Sequence, residues 1–276
     1  MVESLKELNK KCQKPNYKTV GNWMVRHILR DAALPITWIL LHFPVTANQV
    51  TVVSMLVAAV GGFLLMSADN VCFLAGIALL HIWYLLDHVD GQIARYRNTS
   101  SMEGRFFDYL MHHFVSFWIP FSTSVSLLRL GASVWWVVAG FIGSMSVVMI
   151  ALISDAKSKT FYEYIMKDNA TDNFANASDP DSVSDLYMKD RGQKSLPKTV
   201  FTVMYKSCEG HVILNVWLVL GVILIFVGSP YLKYIAVAYY ALVSTLVWVV
   251  YSAKLILSGR ITMEYEVNIK PRIKNG

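Results

Sequence analysis

Three aspartates carry most of the chemistry available to this chain. Asp87 and Asp90 lie in Asp87-x-x-Asp90-Gly91-x-x-Ala94-Arg95, and after eight intervening residues comes Gly104-x-x-x-Asp108-x-x-x-His112. All three sit in or beside strongly apolar stretches, where an isolated charge costs several kcal/mol, so an acid there marks a functional site by default. Asp87, Asp90 and Ala94 recur at i, i+3 and i+7, and Gly104, Asp108 and His112 at i, i+4 and i+8, so each set shares one helical face. A short link lets the two helices run antiparallel with these faces opposed, which gathers three carboxylates and an imidazole. Such a cluster repels itself and raises its own pKa values unless a cation neutralises it. Oxygen ligands suit Mg²⁺, Mn²⁺ or Ca²⁺, and a hard cation held by few carboxylates keeps positions open for phosphate oxygens. Gly91 and Ala94 remove bulk from the same face, as close approach of a flat base or a diphosphate requires. Arg95 offers a fork of donors to phosphate or to a ligating carboxylate.

The elements that must position these groups are membrane helices. Of 276 residues, 55% are hydrophobic and only 16% charged, with a mean hydropathy of +0.43; a soluble domain carries about 25% charged residues. Several apolar runs reach the roughly 20 residues that a bilayer requires. The spans are expected at 48–66, 71–95, 105–128, 133–154, 211–228 and 231–254. They make an all-α integral membrane protein of six transmembrane helices. With a cytoplasmic N-terminus, all of the 25 Lys and Arg except Arg129 and Lys233 fall on the cytoplasmic side. The positive-inside rule then places both termini and the aspartate motif there. Trp135, Trp136, Tyr231 and Tyr234 fall where the outer aromatic belt belongs. The net charge of +6 is thus topological and points to no nucleic acid partner.

Three regions follow. Residues 1–43 are a cytoplasmic N-terminus with an amphipathic interfacial helix over 20–43, broken near Pro35. Residues 44–257 are the catalytic membrane domain, interrupted by a polar cytoplasmic segment over 155–210 that reads as a loop flanked by short helices. Residues 258–276 are a cytoplasmic tail. The first thirty residues are too polar and basic for a cleavable signal peptide. Cys12, Cys72 and Cys208 are scattered and form no disulfide framework. The sequons at Asn169 and Asn176 lie on the cytoplasmic side and read as chance matches.

The motif resembles that of the CDP-alcohol phosphotransferases, membrane enzymes of phospholipid head-group attachment, whose pattern is D-x2-D-G-x2-A-R-x8-G-x3-D-x3-D. Seven of its eight fixed positions stand here with correct spacing: Asp87, Asp90, Gly91, Ala94, Arg95, Gly104 and Asp108. Ala47-Asn48-Gln49-Val50-Thr51 is similar to the family's P-N-x-x-T element, with Ala47 in place of proline. The resemblance implies that Asp87, Asp90 and Asp108 ligate one or two Mg²⁺ or Mn²⁺ ions. Asn48, Thr51, Asp87, Gly91, Ala94 and Arg95 would line the CDP site, and Gly104 would allow close packing. The reaction implied is transfer of a phosphatidyl group from a CDP-alcohol, CDP-diacylglycerol first among them, to an acceptor alcohol with release of CMP. A homodimer is the implied assembly.

One position departs. His112 replaces the family's last aspartate, its general base. An imidazole with an ordinary pKa near 6.5 is a competent base toward an alcohol. It also ligates Mn²⁺ better than Mg²⁺. The replacement leaves open an active transferase using His112, a transferase taking a CDP-activated head group to a lipid acceptor, and a lapsed homologue that binds lipid or nucleotide. A secondary transporter fits poorly, since such sites sit at mid-membrane between repeats. Lys157 and Lys159 resemble a basic element that binds phosphorylated acceptors, and Arg105 is a further candidate. His81, His88 and His113 read as packing or solvated residues. Asn48 and Thr51 serve equally as helix caps or ligand contacts.

Overall fold

The computed structural model describes residues 3–13, 17, 19, 21–168 and 196–269, and every described regular element is helical. The sequons at Asn169 and Asn176, the centre of the polar segment and the end of the tail lie outside these residues. In chain order the helices are α1 (Leu5–Cys12), α2 (Arg30–Leu41, after a π turn Val25–Leu29), α3 (Ala47–Leu65), α4 (Asn70–Tyr96), α5 (Met102–Arg129) and α6 (Trp135–Asp168). There follow α7 (Leu196–Ser207), α8 (Gly210–Val227), α9 (Tyr231–Tyr239), a π turn Tyr240–Ser244, α10 (Thr245–Leu257) and α11 (Arg260–Glu264). Five stretches are long and apolar enough to cross a membrane: Ala47–Leu65, Asn70–Tyr96, Trp135–Ile165, Gly210–Val227 and Tyr231–Leu257.

Six spans were expected. The sixth, α5, has the length, with 28 residues or about 42 Å. It falls short on composition, because Glu103, Arg105, Asp108, His112 and His113 occupy its first turns and Ser122, Thr123, Ser124 and Ser126 are buried along it. α6 runs past the expected end at 154 to Asp168, so the upstream flank of the polar segment is continuous with a span rather than a separate short helix.

Two glycines set a close crossing of α3 and α4. α3 packs along α4, and a Cβ on Gly76 would lie 2.7 Å from the Gly61 carbonyl and 2.9 Å from the Leu65 backbone nitrogen. Small residues at such a crossing let the backbones touch, which is the main source of helix association where lipid is as apolar as the side chains. At the end remote from the aspartates, Lys233 is fully buried, with Nζ 4.3 Å from the Phe73 ring centre and 3.5 Å from the Ser67 carbonyl. Trp136 and Tyr234 meet edge to face at 4.8 Å there, beside exposed Trp135 and Tyr231.

Pro35 does not break its helix, contrary to expectation: α2 continues through it to Leu41. Proline removes one backbone donor and crowds the preceding turn, but Gln92 of α4 braces the helix on both sides. Its Nε2 donates to the Arg30 carbonyl at 3.0 Å, and its Oε1 accepts from the Thr37 hydroxyl at 2.7 Å. The buried positions Val25, Leu29, Ala33, Thr37 and Leu41 recur every four residues, a stripe that docks the helix on α4. α1 docks beside it through Glu3. The Glu3 carboxylate takes the Lys11 ammonium and the Tyr96 hydroxyl (2.6 Å), and its carbonyl accepts from Trp38 Nε1 at 3.0 Å. Lys11 first and Tyr96 second hold the Glu3 carboxyl down at about 2.

Candidate active site

The motif helices meet at one end of the bundle because the connections there are pinned. α4 ends at Asn98, whose φ of 55° is left-handed, a conformation that asparagine tolerates, and Thr99 N–H closes back onto the Ala94 carbonyl at 2.9 Å. The Ser101 hydroxyl then caps α5, accepting from Gly104 N–H at 3.0 Å. Arg97 clamps the link before α3, donating to the carbonyls of Val45 (2.6 Å) and Phe43 (2.9 Å). This brings the start of α3 against the end of α4.

Asp87, Asp108 and His112 converge. His112 Nε2 lies 3.2 Å from Asp108 Oδ1 and 3.7 Å from Asp87 Oδ2. One ligand atom from each of the three falls within 4.8 Å of the others. Ligands around a single ion bonded at about 2.0–2.6 Å are separated by this much or less, so the three fit a divalent cation. Buried polar atoms are rarely left without a hydrogen bond; Asp108 Oδ1 is buried and accepts none among the described residues, its near neighbour being His112 Nε2 at 3.2 Å in an ion-pair contact. Asp90 keeps different company: its Oδ2 accepts from the Thr51 hydroxyl at 2.7 Å. The trio thus contains His112 in place of the expected Asp90.

A cavity of about 260 Å³ opens at this point and takes in Asp87, Asp90 and Asp108 together with Asn48, Thr51, Gly91, Ala94, Arg95, Gly104 and Arg105. The space a side chain on Gly91 would fill is taken by Arg95, whose Nη1 lies 3.1 Å from that Cβ position. Glycine there lets the guanidinium of the residue one turn later lie across the helix. A Cβ on Gly104 would meet only Ser101 Oγ, at 3.3 Å; Gly104 therefore leaves the cavity mouth open rather than packing helices together. Neither Asn48 nor Thr51 caps α3. Thr46 does, in a capping box with Gln49, which leaves both side chains for the cavity.

Lys157 and Lys159 are not brought to it. Lys157 is buried, paired with Glu264 of α11 and 5.7 Å from the Phe161 ring centre, because position 157 falls on the face of α6 that receives the C-terminal helix. Lys159 is exposed and outside the cavity lining. His113 turns away to Asp155 of α6, with Nε2 2.9 Å from Oδ2, and His81 Nδ1 donates to the Ile77 carbonyl at 3.0 Å; both stand off the site as expected. His88 does not: it lines the cavity, its Nδ1–H donating to the Tyr84 carbonyl at 2.8 Å. It follows Asp87 directly, and no periodic signal separated it from ordinary polar residues. Gln13 and Arg30 also line the cavity; both precede the motif by more than fifty residues, where only folding could reveal them.

Residues 44–168 match the family model of the CDP-alcohol phosphatidyltransferases. This segment of the chain is similar to that family. It spans α3 to α6 and so contains the whole aspartate motif. Members of that family are transferases of substituted phosphate groups that act on a CDP-alcohol. No curated protein matches the chain.

Proposed function

We propose that this transferase moves a phosphatidyl group from CDP-diacylglycerol to an alcohol, releasing CMP, at the cytoplasmic end of a six-helix membrane domain with α5 as the sixth span. The observation that carries the reading is the cluster of Asp87, Asp108 and His112, whose two carboxylates line one cavity with Asn48, Thr51, Asp90 and Arg95 while His112 stands behind them, outside the lining. Asp87 and Asp108, with Asp90 alongside, would hold one or two Mg²⁺ or Mn²⁺ ions. When bound, such ions neutralise charge on the transferred phosphoryl group and the leaving phosphate. Arg95 and Asn48 hold the CDP moiety, and Thr51 keeps the Asp90 carboxylate aimed into the cavity. The acceptor oxygen attacks the β-phosphorus and the bond from that phosphorus to the bridging oxygen breaks. CMP carries away the electron pair, and the alcohol's proton passes to His112 Nε2.

A second reading is favoured by the position of the same nitrogen. Placed 3.2 and 3.7 Å from two carboxylate oxygens, His112 Nε2 also suits a metal ligand, and a lone pair given to a metal cannot take the acceptor's proton. Trp23, Ile28 and Ile39 are exposed along α2 and the turns that lead into it, which supports that helix lying in the membrane interface. A homodimer is the assembly we infer from the family.

The test is CMP release from CDP-diacylglycerol by the purified protein, with Mg²⁺ or Mn²⁺, against a panel of alcohols. We expect acceptor-dependent CMP that disappears with chelator and in Asp87→Asn. CMP from a CDP-activated head group with diacylglycerol instead would reverse the direction of transfer. Nucleotide binding without CMP from any pair would make the protein a lapsed homologue.

A further inference from the structure

The cavity has a wall that the motif does not supply. Arg30, at the start of α2, lines it together with Arg95 of α4. Each guanidinium is tied to a backbone carbonyl at or beyond the end of α1. Arg95 Nε donates to the Cys12 carbonyl at 2.5 Å, and Arg30 Nη1 donates to that of Tyr17. The carbonyl satisfies one of the five donors on the Arg95 guanidinium and none of its charge. Among the described residues Arg95 forms no ion pair, although three carboxylates share its cavity. Gln13, between the two carbonyls in sequence, lines the cavity as well, and its amide nitrogen is buried with no hydrogen-bond partner among the described residues. The Arg30 backbone is held to the aspartate helix by the bond from Gln92 Nε2 to its carbonyl, so residue 30 keeps its place relative to Asp87 and Asp90.

Two guanidinium groups and an unpaired amide donor in one cavity with three carboxylates suit one kind of ligand. It is a polyanion that meets the donors directly and the carboxylates through a cation. A side chain needed only to hold the N-terminal segment would have no reason to share that space. We propose that the N-terminal segment is part of the donor site, with Arg30 and Gln13 binding diphosphate oxygens of the CDP-linked donor beside Arg95, and with the carbonyls of Cys12 and Tyr17 aiming the two guanidinium groups. The inference rests on the donor reading above. It adds two ligand-binding residues that lie outside the matched family segment and makes donor affinity depend on α1 being docked.

The experiment uses the purified full-length protein with Mn²⁺ and compares binding of CDP with that of cytidine, which has no phosphate. Arg30→Ala is expected to weaken CDP about ten- to a hundredfold, the range for losing a charge-assisted hydrogen bond, while cytidine affinity stays put. Arg30→Lys should recover part of the loss, and Gln13→Ala should weaken CDP several-fold. In turnover the same variants should raise KM for the CDP-lipid and leave kcat nearly unchanged. Equal losses for CDP and cytidine, with no recovery in Arg30→Lys, would make Arg30 a packing residue and overturn the inference. So would CDP affinity unchanged in both Arg30→Ala and Gln13→Ala, and that result would leave the donor reading standing. A wild-type protein that binds neither ligand overturns the donor reading and the inference together. If Arg30→Ala does not purify as a folded species, Arg30→Lys and Gln13→Ala carry the comparison.

Discussion

Asp87 and Asp90 are one helical turn apart on α4, yet they are held by different partners. Asp87 faces His112 across the gap to α5, whereas Asp90 faces Thr51 on α3. This division gives the His112 replacement a definite consequence. In a site of aspartates alone, every ligating atom would be a hard oxygen. Here an imidazole nitrogen sits among them, and nitrogen favours Mn²⁺ over Mg²⁺. His112→Asp should therefore shift metal preference toward Mg²⁺, read as the ratio of turnover with the two ions. His112→Ala should lower turnover by a hundredfold or more if Nε2 takes the acceptor's proton. The two readings separate on metal affinity. It stays unchanged in His112→Ala for a base, and falls with turnover for a ligand.

At the scale of elements, the site depends on how closely α3 approaches α4. Thr51 reaches Asp90 because the two helices touch at Gly61 and Gly76, about three turns along α3 and four along α4. The two nearest atoms that a Cβ on Gly76 would meet are backbone, which cannot rotate aside. Gly76→Val should cost about 1–3 kcal/mol, the usual penalty for overpacking, measured as a lower unfolding temperature in detergent. It should also weaken divalent-ion binding at a site some distance away, because separating α3 from α4 draws Thr51 from Asp90. Gly131→Ala is the control for glycine replacement at large: no atom lies within 4 Å of its Cβ position, although its φ of 86° adds local strain.

For the whole molecule, the open question is whether α5 crosses the bilayer. Its polar first turns form the site and its buried serines face the bundle, so it is less apolar than the other long helices while serving the same architecture. Crossing puts the α4–α5 and α5–α6 links on opposite sides of the membrane. With the native cysteines replaced, Ser100→Cys should react with an impermeant maleimide only from the cytoplasmic side, and Ala132→Cys only from the other. Labelling of both from one side would remove α5 as a span and invert everything that follows it.

Most of the architecture was legible in the residues themselves. Apolar runs of bilayer length mark the spans, because lipid leaves a helix no other way to satisfy its backbone. The spacing of Asp87, Asp90, Asp108 and His112 marks the site, because helical periodicity is local and two short-linked helices must face each other. Contacts between residues distant in sequence carried no such mark. Nothing local pairs Lys157 with Glu264, braces Pro35 with Gln92, or sets Thr46 rather than Asn48 as the cap that leaves Asn48 to the cavity. Nothing local brings Gln13 and Arg30 to Arg95. Motif spacing follows from the chain's own geometry and can be counted. Which side chains from remote segments complete a cavity depends on how the helices dock, and only the tertiary structure decides that.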